Sequence, residues 1–249
     1  PSLVIPALAC DEEGELVYSE ETGEPISYWP ERWPVEKLMA EREEMGSPLF
    51  GVAYMNDTRG LTKGNVFHKL PPEYYFTSLP EGSYSIRMGV DLASSEKERA
   101  DFTARVVTAE DDKGNFYVLS VYRDKRETHH AEFIKDGWDA YPAIDLVICE
   151  DQQFQSTLIK EVMEDYPYIP IEGQSADKDK TLRARAVAAK YEAHKVYHHV
   201  SLKNSAFERE LLSFPKGHDD MVDALGYSFD LTGAGFFFGS LRRGSTMRR

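Results

Sequence analysis

Apolar and polar residues begin to alternate with period two at Tyr84. Over Tyr84–Leu92, Ile86, Met88 and Val90 are separated by polar or small residues, which predicts a strand with two distinct faces. Phe102–Thr108 and Asn115–Tyr122 carry the same signal on either side of Asp111-Asp112-Lys113-Gly114, so a hairpin is expected there. Together the three runs predict three consecutive antiparallel strands. The period then changes. Glu127–Tyr141 predicts a helix, Ala143–Cys149 a β-branched buried strand, Phe154–Tyr166 a helix and Ile169–Gly173 a short strand. Lys178–His194, rich in Ala, Arg and Lys, predicts another helix, and two more follow at Ser205–Ser213 and His218–Leu231. The order β-β-β-α-β-α-β-α-α predicts an α/β fold: a mixed sheet, three antiparallel strands then parallel ones, flanked by helices.

Upstream the pattern is different. Asp11–Glu24 has turn and charge composition without periodicity, and the prolines of Trp29-Pro30-Glu31-Arg32-Trp33-Pro34 restrict the backbone that follows. A short amphipathic helix is expected from Val35 to Gly46, presenting Val35, Leu38, Met39 and Met45 for packing. Residues 1–50 are therefore expected to form an acidic linker ending in one helix, with Trp29 and Trp33 anchoring it on a neighbouring surface. Residues 51–83 are a connecting segment, 84–232 the folded domain, and 233–249 a flexible basic tail carrying Arg242, Arg243, Arg248 and Arg249.

Composition changes this picture in two respects. The 249 residues hold 29 Lys plus Arg against 43 Asp plus Glu, a formal charge of −14, which argues against binding nucleic acid by bulk positive charge. Position matters more than the sum. Twelve acids and three bases lie in residues 1–50, a local charge of −9, so the other 199 residues carry −5. Residues 178–195 are positive, with Lys178, Lys180, Arg183, Arg185, Lys190 and Lys195 against Asp179 and Glu192. Cys10 and Cys149 are far apart with no metal-binding spacing, so free thiols are expected. No apolar run approaches the roughly 18 residues of a membrane span. No GxxxxGK[ST] loop is present, so ATP hydrolysis by this chain is not expected.

The candidate chemistry lies in acids at strand ends and at a helix start. Asp91 ends the first strand, two residues after Gly89, and Glu150 ends the most apolar strand of the chain. In Gly217-His-Asp-Asp-Met-Val-Asp-Ala, the aspartates 219, 220 and 223 open a helix, and the 220/223 and 219/223 spacings place pairs on one face. Helix capping alone would account for Asp219 and Asp220. Asp223, one turn in among Met221, Val222, Ala224 and Leu225, needs a partner, because an isolated buried carboxylate is costly. Hard divalent cations, Mg²⁺ or Mn²⁺, suit such a cluster of oxygen donors. His218, beside the acids, could orient a water or a carboxylate. The pairs His129/His130 and His198/His199 are assigned to packing or surface roles.

Met88-Gly-Val-Asp-Leu-Ala with Asp101-Phe-Thr, the strand end Ile148-Cys-Glu, Lys178-Asp-Lys-Thr-Leu-Arg-Ala-Arg and Gly217-His-Asp-Asp-Met-Val-Asp-Ala resemble the C-terminal nuclease domain of the large terminase subunit of tailed bacteriophages. Tyr28-Trp-Pro-Glu-Arg-Trp-Pro and Phe50-Gly-Val-Ala-Tyr-Met-Asn-Asp are similar to that family's link from its ATPase domain. The resemblance implies an RNase H-like fold of the resolvase–integrase superfamily over residues 84–232, with the chain beginning near the end of the ATPase domain. It implies metal-dependent endonuclease cutting of concatemeric double-stranded viral DNA during packaging, with little sequence preference, in the cytoplasm of the infected bacterium. Asp91 matches the first-strand aspartate, Glu150 the acid after the fourth strand, and Asp220 or Asp223 the helical aspartate; Asp219 remains a third possible ligand there. Two Mg²⁺ or Mn²⁺ ions are the implied cofactors. The implied partners are DNA, the ATPase domain, the small terminase subunit and the portal or procapsid, with no membrane. Lys178, Lys180, Arg183 and Arg185 are expected to contact phosphates. Two rivals remain open: a Holliday-junction resolvase or recombinase of the same fold, and a non-catalytic DNA clamp of a packaging motor.

Overall fold

The computed structural model describes residues 5–11, 16–57, 66–68, 70–92, 102–125, 129–151, 155–175 and 180–229. It divides into two compact units, one of residues 1–64 with 188–194 and one of residues 65–187 with 195–249.

In the first unit, helices α1 (Val35–Met45) and α2 (Ser47–Tyr54) follow one another across Gly46. Pro34 precedes α1, and Gly46 takes a positive φ of 79° between the two helices. Where composition predicts a featureless acidic leader, three isolated antiparallel bridges join Leu8 to Ser27, Cys10 to Leu16 and Tyr18 to Pro25. Leu8 explains why: it is fully buried with Leu38 and Phe50, and Trp33 and Tyr54 pack around them. Trp33 thus contributes to this small core, whereas Trp29 stays exposed beside the Arg32 guanidinium. Glu192 accepts from the Ser47 amide at 3.0 Å and from its hydroxyl, which ties α2 to residues 188–194.

The second unit is built on a seven-stranded mixed sheet. Its strands are β1 (Tyr75–Phe76), β2 (Tyr84–Asp91), β3 (Thr103–Asp111), β4 (Phe116–Asp124), β5 (Leu146–Asp151), β6 (Ile171–Ser175) and β7 (Val196–His199), in the order β1-β7-β4-β3-β2-β5-β6. As expected, β2, β3 and β4 are antiparallel, and β5 and β6 add in parallel beyond β2. The β3–β4 turn is fixed by Asp111, whose side chain accepts from the Lys113 amide at 2.9 Å and the Asn115 amide at 2.8 Å. Helices α3 (His130–Ala140), α4 (Gln155–Asp165), α5 (Lys180–Glu192), α6 (Ala206–Ser213) and α7 (Asp220–Ser228) complete the predicted set.

Strand periodicity sorts the sheet into two faces. Met88, Val90, Val147 and Cys149 are buried with Phe133 and Ile134 of α3 and Leu158 and Val162 of α4. Side chains alternate along a strand, so Gly89, Asp91, Ile148 and Glu150 point to the opposite face. There α7 crosses β2, β3 and β5, all of its residues buried. The Thr108 hydroxyl donates to the Ser228 carbonyl at 3.0 Å and pins the far end of α7 to β3. Both cysteines are free thiols, and no described helix is long and apolar enough to cross a membrane.

The strands β1 and β7 are additional to the predicted order. β7 is short and holds two histidines, so its period-two signal is weak, yet Val196 and His198 are buried while Tyr197 and His199 are partly exposed. His198 is satisfied by Glu208: its Nδ1 lies 3.0 Å from Oε1, which also accepts from the Tyr75 hydroxyl at 2.7 Å. Burial pushes the His198 imidazole below its usual value, and the Glu208 carboxylate offsets this only in part. Below pH ~6.5 the unfolded chain therefore takes up a proton that the folded chain resists. Stability is expected to fall as pH drops from 7 toward 5, and His198→Gln, which cannot titrate, should flatten that slope. Melting temperatures followed by circular dichroism across this range check it; an equal slope in both proteins refutes the assignment.

Candidate active site

Helix α7 begins in an unusual way for a helix preceded by an aspartate. Asp219 occupies the N-cap position, but its side chain makes no capping hydrogen bond. The orphan amides are met from outside. Glu210 of α6, 6% exposed, accepts from the Met221 amide at 2.7 Å and the Val222 amide at 3.4 Å through Oε1. Its other oxygen pairs with Arg123 of β4 at 2.9 Å. The aspartates are thus released from the capping duty that their position alone would assign them.

The strand register brings the first two acids side by side. Val90 stands opposite Cys149 in the parallel β2–β5 pair, so the next residues, Asp91 at the end of β2 and Glu150 one residue before the end of β5, stand side by side on the face that α7 covers. Asp220 and Asp223 lie one turn apart on α7, 6% and 3% exposed. Their proximity registers electrostatically. Burial raises the Asp91 carboxyl well above the usual carboxylate range, the Asp223 charge raises it further, and Asp220 and Glu150 add to this against the opposing Lys180. Asp223 is also raised, first by burial, with Lys180 and Arg183 working against the shift. Four acids from three elements share one field.

The positive charge in that field comes from the start of α5. The Lys180 ammonium bridges Asp219, at 2.9 Å, and Asp223. Burial pulls this ammonium down, and the two carboxylates overcome the effect, leaving it above its usual value. One turn further on, Arg183 reaches Asp223 at 3.3 Å and lies over the Tyr227 ring at 4.4 Å. Its methylenes rest on Gly226, where an added Cβ would sit 3.1 Å from them. Lys180 and Arg183, assigned to phosphate by the sequence, are here engaged by the acid cluster. Arg185 is partly buried on the same helix, two residues past Arg183 and so turned roughly 200° away from it. Lys178, Asp101 and the arginines of residues 233–249 lie outside the described residues. His218 is largely exposed, with Nδ1 3.8 Å from an Asp220 oxygen and its ring edge-on to Phe102.

Among the described residues, no group of three or more His, Cys, Asp or Glu side chains is disposed to hold a metal ion as they stand. One oxygen of Asp219 and one of Asp223 face the Lys180 ammonium, and the other Asp223 oxygen faces Arg183. The donor set nevertheless fits a hard divalent ion: oxygen ligands throughout, burial and then mutual repulsion that raise Asp91, and a demand for positive charge already met in part by Lys180. Sequence reasoning missed Glu210, Arg123 and Tyr227. The signal for Glu210 was present, since it falls on the inward stripe of α6 between the buried Phe207 and Phe214.

A family model described as the terminase RNaseH-like domain matches residues 88–231, more than half of the chain. The large terminase of a thermophilic bacteriophage, solved in complex with ADP, is similar with a TM-score of 0.59 and 13% identity, over 77% of this chain and 50% of that one. The chain therefore spans about half the length of that relative. The large terminase nuclease from thermophilic phage G20c with bound magnesium aligns with a TM-score of 0.44 and 13% identity, over 61% of this chain and 83% of that one. The g2p nuclease domain from bacteriophage SPP1 with bound Mn aligns with a TM-score of 0.43 and 16% identity, over 66% and 99%. No curated protein matches the chain by sequence.

Proposed function

Given that the chain belongs to the terminase RNaseH-like domain family, a nuclease-type fold of the RNase H-like superfamily, we propose that it is a metal-dependent endonuclease. Its substrate on this reading is double-stranded, concatemeric viral DNA, cut with little sequence preference during genome packaging in the infected bacterium. The ATPase domain, the small terminase subunit and the portal are its partners in that process. The observation that carries the proposal is the convergence of Asp91, Glu150, Asp220 and Asp223 in one field from two strand ends and a helix start.

Asp91, Glu150, Asp220 and Asp223 would hold the divalent ions, two on this reading. Held there, Mg²⁺ or Mn²⁺ supplies Lewis-acid activation of water and offsets the charge developing on a phosphodiester. The chain's own groups do the rest. Asp91, raised by burial and by Asp223, retains a proton more readily than an exposed aspartate until positive charge arrives. Glu150, partly exposed at the end of β5, is the acid best placed to orient a water entering from solvent. Lys180, about half exposed, can exchange its carboxylate partners for a phosphate without leaving the cleft rim.

Supercoiled plasmid incubated with the purified protein tests the reading. Nicked and linear products are expected with Mn²⁺ and none with excess EDTA. Metal-independent cleavage, or no cleavage and no Mn²⁺ uptake, overturns it. A parallel arm with a four-way junction against linear duplex of equal length distinguishes packaging from resolution, and comparable rates on both are expected.

A further inference from the structure

We propose that Glu210 is the positioning residue of the carboxylate site: it fastens the first turn of α7 so that Asp220 and Asp223 are held toward Asp91 and Glu150. The inference rests on the metal-nuclease reading above, and it assigns a task to a residue outside the acid cluster itself.

Two kinds of observation carry it. The first is hydrogen-bond accounting at the helix start. The leading amides of any helix lack intrahelical acceptors, and in α7 Asp219 leaves them unmet. Glu210 Oε1 takes Met221 N–H at 2.7 Å and Val222 N–H at 3.4 Å. These amides lie between the two aspartates in sequence, so fixing them fixes the direction in which Asp220 and Asp223 leave the helix. The second is the support behind Glu210. Arg123 of β4 holds the second oxygen at 2.9 Å, and the Arg123 guanidinium in turn lies over Phe102 at 4.4 Å. A buried acid with both oxygens engaged, one by α7 and one by the sheet, is a brace between the two elements that carry the site. Its carboxylate also places negative charge at a helix N-terminus, where the macrodipole favours it.

A brace and a mere structural ion pair respond differently to two conservative changes. Glu210→Gln keeps the reach and an acceptor oxygen for the Met221 amide but loses the charge that Arg123 pairs with. Glu210→Asp keeps the charge but withdraws it by one methylene. If positioning through the amides is the task, Gln is tolerated and Asp is not. Two readouts are taken on the metal-free chain: native-state hydrogen exchange at Met221 and Val222, and the dissociation constant for Mn²⁺ followed by its EPR signal. Glu210→Asp is expected to speed exchange at these amides at least ~10-fold, the loss of one charge-assisted hydrogen bond. It should also weaken Mn²⁺ binding by ~10–100-fold, the range seen when a group supporting metal ligands is removed. Glu210→Gln should stay within about threefold of the parent protein on both.

The reverse order, Asp tolerated and Gln not, overturns the proposal in favour of an ion pair. Exchange that rises evenly over the whole chain overturns it as well. Mn²⁺ uptake that Glu210→Asp leaves intact overturns the positioning role alone, whereas absence of uptake by the parent protein overturns the metal-nuclease reading and this role with it.

Discussion

Asp91→Asn is expected to abolish plasmid cleavage and, in EDTA, to make the protein harder to melt. The two effects have one cause. Asp91 is crowded by protein and by the charges of Asp223, Asp220 and Glu150, and its carboxyl is raised well above the usual range, by burial before anything else. A carboxyl raised in the folded state binds its proton more tightly there than in the unfolded chain. Stability is then greatest at low pH and declines as pH rises through the folded value, so at neutral pH the ionised group opposes folding. Asparagine has nearly the same shape and no charge to oppose. The melting temperature without metal should rise, by about 2–4 °C for each kcal/mol relieved in a chain of this size. Cleavage with Mn²⁺ should fall more than ~100-fold, beyond the loss that follows when only a supporting group is removed. Added Mn²⁺ should stabilise the parent protein and leave the variant unchanged. Calorimetry with and without metal, beside the plasmid assay, measures all three. A variant that melts earlier in EDTA, or cuts normally, refutes the account of Asp91.

Gly89→Ala is expected to prevent folding of the sheet unit. Gly89 lies on β2 two residues before Asp91, on the face that α7 crosses, and an added Cβ there would stand 2.0 Å from the Ala224 carbonyl oxygen and 2.3 Å from the Ser228 nitrogen. Both are backbone atoms of a buried helix, so no side chain can move aside. The helix is held at one end by Glu210 and at the other by Thr108, which leaves rigid displacement of all of α7 as the response. Overpacking where neighbours can adjust costs about 1–3 kcal/mol; here the loss should exceed that range, on the order of 4 kcal/mol or more. The variant should collect in the insoluble fraction or, if recovered, unfold at much lower urea than the parent. Gly114, at φ +74° in the β3–β4 turn with open space around it, is the contrasting case. Its requirement is conformational, and alanine there should cost about 1 kcal/mol. Comparable midpoints for the two variants would show that contact with α7 is not what holds Gly89.

The elements that the sequence revealed share one property: their burial is visible as a period. Met88, Val90, Val147 and Cys149 sit at alternate positions of strands buried on one face, and α3 to α7 lie where helical patterns are long enough to recognise. The elements that escaped, β1 and β7, are two and four residues long, and their burial depends on partners far away in the chain, such as Glu208 beneath His198. Leu8 escaped for a similar reason. One apolar residue in an acidic stretch gives no periodic signal, and only Leu38 and Phe50 show that it belongs to a core.

Sequence alone fixes which residues share a face within one element. Strand alternation puts Asp91 on the face of Gly89 and Glu150 on that of Ile148, and helical spacing sends Asp220 and Asp223 to one side of α7; the β2–β5 pairing makes the two strand faces one. The sequence also located the charge of −14, most of it in a leader remote from those acids in the chain. Tertiary structure decided what each charge does. A basic helix shows only its charge when its neighbours are unknown; the fold sets Lys180 and Arg183 beside Asp219 and Asp223. An aspartate before a helix looks like a cap until a glutamate from another helix takes the amides. Periodicity is local, so sequence can read which face a residue occupies. The partner of a charge is set by which elements the fold brings together, and that depends on the whole chain.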